Sequence, residues 1–443
     1  MTTLEATPSA GFTQPADSAL DATYRQITWR IIPFLFVLWV LAWVDRVNVG
    51  FVKLTMLDEL KWTDTVYGLG AGIFFLGYFF FEVPSNLLLA RIGARKTITR
   101  ICIGWGVICV AMMLVKTPAV FYTLRFLMGV FEAGFYPGII LYLTYWYPSE
   151  RRARAFGMFM SASGVAGVVG GPLAGTIMNG LHGVNGWSGW QWVFLIEGIP
   201  SIIAGIVTWY YLTDRPEQAS WLTPAQRQMV HDDLQRDQAQ LGNRETSLLA
   251  SLKDGRMWLL ILIFFCVIAA NSSLTFFGPS VVKEVGFTNP ATVGWIMSLS
   301  YLCGAAGMVI NGLHSDKSAE ARLHCAYAAA LGALGLLLTA ILMKDFPLLA
   351  LCAQTLAIIG TMSAIPVFWQ LPGRFLAGAA AAGGVALINS IANLAGFGAP
   401  FMLGVIKTAT GHLSPGLYVV AAVEVCAAIL IIAFIPRFVK GAR

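Results

Sequence analysis

The sequence predicts an all-α membrane protein with twelve transmembrane helices arranged as two pseudo-symmetric six-helix bundles. Composition is the first reason: 57% of the 443 residues are apolar and 12% are charged, far outside the range of soluble domains. The second is that apolar runs of about 20 residues, long enough to cross a bilayer core, recur along the chain. The third is the polar stretch 214–256, which carries Asp214, Arg215, Glu217, Asp232, Asp233, Arg236, Arg244 and Lys253 and leaves six runs on either side.

Bounded by charge, Pro or Gly, the runs fall in order. Span 1 (30–52) lies between Arg30 and Lys53, span 2 (66–90) ends at Arg91, and span 3 (97–115) fits between Lys96 and Lys116. Span 4 (118–146) opens on Pro118, span 5 (153–179) follows Arg151 and Arg152, and span 6 (192–213) stops at Asp214. In the central stretch, Thr223 and Pro224 have the form of a cap and first turn for a short surface helix. Span 7 (257–282) then runs from Arg256 to Lys283, span 8 (291–313) follows Pro290, and span 9 (323–343) is set between Arg322 and Lys344. Span 10 (346–370) comes next, span 11 (376–406) ends at Lys407, and span 12 (414–436) ends at Arg437. The layout is a tail (1–28), a first bundle (29–213), a central loop (214–256), a second bundle (257–436) and a tail (437–443).

Orientation follows from the basic residues. With the N-terminus in the cytoplasm, 21 Lys and Arg fall on the cytoplasmic side and six (Lys53, Lys61, Lys116, Lys283, Lys344, Lys407) on the other, which places both termini inside. The net charge of +6 is spread over short loops and forms no patch for nucleic acid. Residues 1–24 lack a secretory signal, so span 1 is expected to stay in the protein. Seven single cysteines and five dispersed histidines offer neither a disulfide framework nor a metal cage, so no metal and no cofactor is expected.

The chemistry is expected where charges sit inside spans. Asp45 and Arg46 interrupt span 1, and Arg125 and Glu132 interrupt span 4. Each such residue costs about 2.5–3.5 kcal/mol at a helix centre, which calls for a functional reason. The three residues Asp45, Arg46 and Arg125 lie at similar depth, and Glu132 is two turns, about 10 Å, from Arg125 on the same face. A shared central cavity is the simplest place for all four. The arginines stay charged and present forked donors that suit a carboxylate; the acids exchange protons, and an acid beside a substrate-binding arginine competes with an anionic cargo for it. Arg125 either meets the cargo or holds Asp45 in place. The alternative for the whole set is a salt bridge that fixes helix register.

Polar residues elsewhere supply further candidates. Span 7 holds Asn271, Ser272, Ser273 and Thr275 before Gly278 and Pro279, a breakable stretch whose backbone is expected to line a cavity. Asn389 and Asn393 share a face of span 11. For these, cargo contact and helix-to-helix hydrogen bonding stand equal. Glu82 and Glu197 are expected in helix capping or pairing, Glu424 has no visible partner, and the glycines of span 5 are expected to allow close packing. Trp43, Trp39, Phe368 and Trp369 would suit an aromatic acid by stacking.

The two halves echo each other. Leu87-Leu-Leu-Ala-Arg91-Ile-Gly93-Ala-Arg95-Lys96 follows span 2, and Gly312-Leu-His-Ser-Asp316-Lys317 with Arg322 follows span 8, which suggests an internal duplication. At this point the chain resembles the major facilitator superfamily. More narrowly it resembles the anion:cation symporter branch, through Asp45-Arg-Val-Asn-Val-Gly50, Glu82-Val-Pro-Ser-Asn-Leu-Leu-Leu89, Arg125-Phe-Leu-Met-Gly-Val-Phe-Glu132-Ala-Gly-Phe-Tyr-Pro137-Gly138 and Trp190-Gln-Trp-Val-Phe-Leu-Ile-Glu197-Gly. The resemblance implies a bacterial inner-membrane permease that brings in a small organic anion with protons by alternating access, driven by the proton gradient and acting as a monomer in the lipid bilayer. It implies proton coupling by Asp45 and Glu132, substrate binding by Arg46, and cavity positions for Trp43 and Tyr78. It also implies a gating role for Arg91, Gly93, Arg95, Gly312, Asp316 and Arg322, although the acidic residue usual in the first loop is replaced by Ala90. An aromatic acid is the expected cargo; a hydroxy or sugar acid such as tartrate, and export by proton antiport, are the alternatives. No nucleophile, phosphate-cradling loop or large extramembrane domain suggests an enzyme.

Overall fold

A computed structural model describes residues 15–241, 255–318, 320–372 and 379–439. Among them, twelve helices are long and apolar enough to cross a membrane: Ser18–Leu60, Asp64–Ile92, Ala94–Leu114, Pro118–Trp146, Ser149–Gly180 and Gly189–Tyr211, then Gly255–Glu284, Pro290–Ser318, Ala321–Leu342, Pro347–Phe368, Leu387–Thr410 and Ser414–Ile435. These are spans 1 to 12 below. The described residues contain no strand. The tail expected over 1–28 is helical from Pro15 onward and continuous with span 1; residues 1–14, 242–254 and 440–443 of the expected tails and central loop lie outside the described residues.

The termini and the central segment share one face, the termini face; the loops after spans 1, 3, 5, 7, 9 and 11 make the distal face. Helix Pro224–Leu241 begins where Thr223 and Gln226 cap each other, with the Gln226 N–H donating to Thr223 Oγ1 at 3.2 Å and the Thr223 N–H to Gln226 Oε1 at 2.9 Å. It docks on the first bundle through Tyr24 Oη to Asp233 at 2.8 Å and through Arg152 to Asp237 at 3.6 Å.

Two spans bend where the sequence supplies the residues for it. Span 4 breaks after Glu132 at Gly134, whose φ of +81° is open to glycine alone at little cost, and resumes at Phe135. Span 5 turns at Ser161, between Ser149–Met160 and Ala162–Gly180. Span 7, expected to break near Pro279, stays one helix over Gly255–Glu284. Its hydroxyls turn back onto their own helix, Ser273 Oγ to the Ala269 carbonyl and Thr275 Oγ1 to the Asn271 carbonyl, both at 2.8 Å, while the carbonyls beside Pro279 accept from neighbouring spans, Phe276 from Tyr67 Oη at 2.8 Å and Gly278 from Gln354 Nε2 at 3.1 Å.

The bundles meet closely near the distal face. Span 2 crosses span 11 so tightly that a Cβ on Gly68 would stand 2.4 Å from the Pro400 carbonyl, and span 5 crosses span 8 where Gly171 faces the Gly294 carbonyl at 2.6 Å. Small residues allow such backbone approach within a bilayer. Charges close the same face. Lys53, 4% exposed, reaches Asp64 at 2.6 Å and lies over the Tyr67 and Phe277 rings; Asp64 reaches Lys407 at 3.6 Å, and Lys407 reaches Glu284 at 3.9 Å. Thr65 and Thr408 hydrogen-bond across the same seam at 2.9 Å.

Removing one member of a buried ion pair costs about 3–5 kcal/mol, and opening this face relieves that cost. Asp64→Asn is therefore expected to slow disulfide formation between cysteines placed at Thr65 and Thr408 by about tenfold or more, since 1.4 kcal/mol is a factor of ten. Cross-linking as fast as in the parent would remove the ion pairs from the closure.

Candidate functional site

The charged residues of spans 1 and 4 separate into two environments. Arg46 and Glu132 form an ion pair across spans 1 and 4, with Arg46 Nε donating to Glu132 Oε1 at 2.8 Å and Nη2 donating to the same oxygen. Arg46 keeps 16% of its side-chain exposure and Glu132 keeps 2%. Four rings surround the guanidinium at 5.4–5.9 Å: Trp39, Trp43, Phe74 and Tyr78, the range in which a cation is attracted to ring faces. Trp43 and Tyr78 thus stand beside Arg46.

Asp45 points the other way. Successive residues on a helix are turned about 100°, so neighbours in sequence face different partners. The Asp45 carboxylate accepts hydrogen bonds from Trp105 Nε1 at 3.0 Å, from Ser201 Oγ and from Cys109 Sγ at 3.4 Å, within a seam between spans 1, 3 and 6. It is 2% exposed and forms no ion pair with Arg46 or Arg125 among the described residues. The charges expected to share one cavity therefore bond to different partners, Arg46 with Glu132 and Asp45 with spans 3 and 6.

Arg125 is fully buried. Its Nε and Nη2 donate to the carbonyls of Gly70 and Ala71 at 3.2 and 3.3 Å, and Nη1 meets Met128 Sδ at 3.4 Å. The Phe74 ring lies between it and Arg46, with the Arg125 guanidinium 5.1 Å from the ring centre. The guanidinium is thus committed to span 2 backbone, and it forms no ion pair with Asp45 among the described residues.

The second bundle faces Arg46 through span 7. Gly50 of span 1 packs on Thr275 and Phe276. Both helices run toward the distal face, so Arg46 and Asn271, each four residues earlier, lie level with each other, about 6 Å on the termini side of that contact. On span 11, Asn389 donates to Glu82 at 3.5 Å, Ser390 Oγ donates to Glu82 at 2.7 Å, and Asn393 donates to the Asn389 carbonyl at 2.9 Å. Glu82 therefore joins span 2 to span 11 and caps no helix end. Trp369 lies at the termini-side end of span 10, packed on Phe264 and Phe368 at 4.9 and 5.5 Å, away from the level of Arg46.

The residues assigned to gating bond within their own bundles among the described residues. Gly93 (φ +93°) opens span 3, and the Arg95 N–H donates to Asp214 Oδ1 at 2.6 Å. The carboxylate absent at Ala90 thus arrives from the end of span 6, at a helix N-terminus that favours a negative charge. Arg95 lies over the Trp209 ring at 5.5 Å, and Arg91 is exposed. In the second half Asp316 accepts from Gln370 Nε2 at 2.9 Å, Arg322 pairs with Glu320 at 3.8 Å, and no atom stands within 4 Å of a Cβ built on Gly312.

Sequence reasoning missed Phe74, Ser201 and Asp214. Phe74 carried a signal, being one turn from Tyr78 on the same face of span 2; the other two are brought in by tertiary structure alone. Glu197, expected to cap or pair, sits buried inside span 6 with the Asn48 side chain beside its carboxyl. Glu424 accepts from Thr361 Oγ1 at 2.7 Å.

Comparison with known proteins places this geometry. Residues 34–400 match the pattern described as Major Facilitator Superfamily. The chain is 45% identical over 406 residues to a protein of Agrobacterium vitis named "Putative tartrate transporter", covering 92% of this chain and 93% of that one. It is 40% identical to the "Quinolone resistance transporter" of Acinetobacter baumannii, covering 92% and 93%. Among solved structures, a bacterial homologue of the human lysosomal transporter Spinster, inward-facing and occupied, superposes with a TM-score of 0.75 over 98% of this chain and 99% of that one at 16% identity, a likeness of fold.

Proposed function

The chain belongs to the major facilitator superfamily of membrane transporters, and from that premise we propose that it takes up a small organic carboxylate together with protons, as a member of the anion:cation symporter branch in a bacterial inner membrane. The observation that carries the reading is the Arg46–Glu132 pair: one guanidinium at the level where the bundles face each other, neutralised by one carboxylate. A cargo carboxylate and the ionised Glu132 compete for the same forked donor. Protonation of Glu132 frees Arg46 for the cargo, and release of that proton restores the pair and expels the cargo. Proton and anion therefore travel together.

The cargo we favour is a hydroxylated acid of the tartrate kind. The rings near Arg46 already spend their faces on its guanidinium, which leaves less for stacking on an aromatic cargo. Asn271 opposite, together with the Tyr78 hydroxyl, suits hydroxyl and carboxylate oxygens. The relative named for tartrate supports the same choice. With both termini cytoplasmic, the ion-paired distal face is the outer one, so the arrangement described is closed to the outside. The relative named for quinolone resistance supports keeping a second reading, export of an organic acid or drug by proton antiport.

Reconstituted vesicles with an imposed pH gradient separate the two. Labelled tartrate is expected to accumulate when the outside is made acid, with a hydroxylated acid competing better than benzoate-type acids. Efflux driven by the same gradient would establish the export reading, and strong competition by aromatic acids alone would overturn the cargo assignment.

A further inference from the structure

The compartment around Asp45 contains a second acid that the exchange at Arg46 does not use. Glu197 is 3% exposed, and the Asn48 amide is the side chain set to hydrogen-bond its carboxyl among the described residues. Its helix delivers it to Asp45. Ser201, one turn later, donates to Asp45 Oδ2; Phe194, three residues earlier, offers its carbonyl to Cys109 Sγ at 3.7 Å, and that thiol meets Asp45 Oδ1 at 3.4 Å. Residues at i−3, i and i+4 share one helix face. Glu197 therefore stands on the face of span 6 that meets Asp45.

The remaining groups around the pair are polar or acidic and none is a cation. Span 1 contributes Asn48, 1% exposed, whose amide nitrogen meets Cys109 Sγ at 3.7 Å and whose amide oxygen has no partner. Span 3 contributes Cys102, Trp105 and Cys109, and span 4 sets Glu132 within electrostatic reach of Asp45. No Lys or Arg forms an ion pair with Asp45 or Glu197 among the described residues. Two like charges in one sealed site repel, and a buried carboxylate without a cation or full hydrogen bonding is costly.

We propose that Asp45 and Glu197 form a carboxyl pair that shares one exchangeable proton, a proton-carrying site separate from the Arg46–Glu132 pair. Ionisation of either acid requires the other to keep its proton, so the pair titrates as a unit. This rests on the reading of the chain as a proton-coupled transporter, in which the pair would load and release its proton as the seam of spans 1, 3 and 6 opens to water in the transport cycle.

Infrared difference spectra of the purified protein across a pH series, with selective labelling of Asp or Glu carboxyl carbons, test the pair directly. Glu197→Gln is expected to move the midpoint of Asp45 deprotonation by at least about one pH unit, a tenfold change in proton affinity, and Asp45→Asn to move that of Glu197. Ser201→Ala, which removes only a hydrogen bond to Asp45, serves if Glu197→Gln does not fold, and is expected to move both midpoints. An Asp45 midpoint that is the same in parent and Glu197→Gln proteins, or a Glu197 midpoint that is the same in parent and Ser201→Ala proteins, overturns the pair. If the parent accumulates no substrate under a pH gradient while the midpoints still move together, the transport reading fails and the pair stands.

Discussion

Glu132→Gln is expected to abolish accumulation driven by a pH gradient while leaving substrate exchange across symmetric membranes intact. The amide has nearly the shape of the protonated acid and cannot ionise. Arg46 then loses its competitor, with Nε and Nη2 both released from the one oxygen they share, and the cargo carboxylate meets a free guanidinium. Binding is expected to persist or tighten, because a hydrogen bond to a charged partner contributes about 1.5–3 kcal/mol. What disappears is the link between proton and cargo, since no carboxylate returns to expel the anion. Counterflow of labelled substrate at equal pH and uptake against a gradient, measured on the same vesicles, separate binding from coupling. Accumulation equal to that of the parent would take Glu132 out of the coupling machinery.

Arg46→Lys is expected to lower transport by about 10- to 100-fold at subsaturating substrate, although it keeps the charge. An ammonium is a point donor on a flexible stem and cannot reproduce the planar fork that pairs with a carboxylate. It also gives up the stacking of a flat cation among Trp39, Trp43, Phe74 and Tyr78. The loss of one charge-assisted hydrogen bond, about 1.5–3 kcal/mol, sets the size. Substrate protection against thermal unfolding is the second readout, because a ligand that binds only the native state raises its melting point. Wild-type protection in Arg46→Lys would mean that forked recognition of the carboxylate is wrong.

The fold was legible because a bilayer makes few solutions possible. Every backbone polar group must bond within its own segment, so long apolar runs become helices and their number can be read from charge and proline. Span 7 shows the limit: its proline and polar cluster read as a break, yet Ser273 and Thr275 satisfy carbonyls of their own helix and the element continues.

The site was legible residue by residue and not as a constellation. Intramembrane charge singled out Asp45, Arg46, Arg125 and Glu132, and depth arithmetic placed them together. Depth ignores rotation about the helix axis. Adjacent residues such as Asp45 and Arg46 share a level and face different partners, and Arg125, expected at that level, lies two turns along span 4 from the Glu132 that Arg46 meets. Which side of span 1 meets spans 3 and 6 depends on packing that no local pattern states, which is why Ser201, and the place of Glu197 on the face toward Asp45, emerged only in three dimensions.

The carboxylate that Asp214 brings to the start of span 3 stands where the loop's own letters offer none. Ala90 lies in the last turn of span 2, and a residue more than a hundred places downstream sets a negative group against the Arg95 N–H. A charge missing from a string of letters can thus be present as an arrangement of atoms, and a search for contiguous patterns would pass over it.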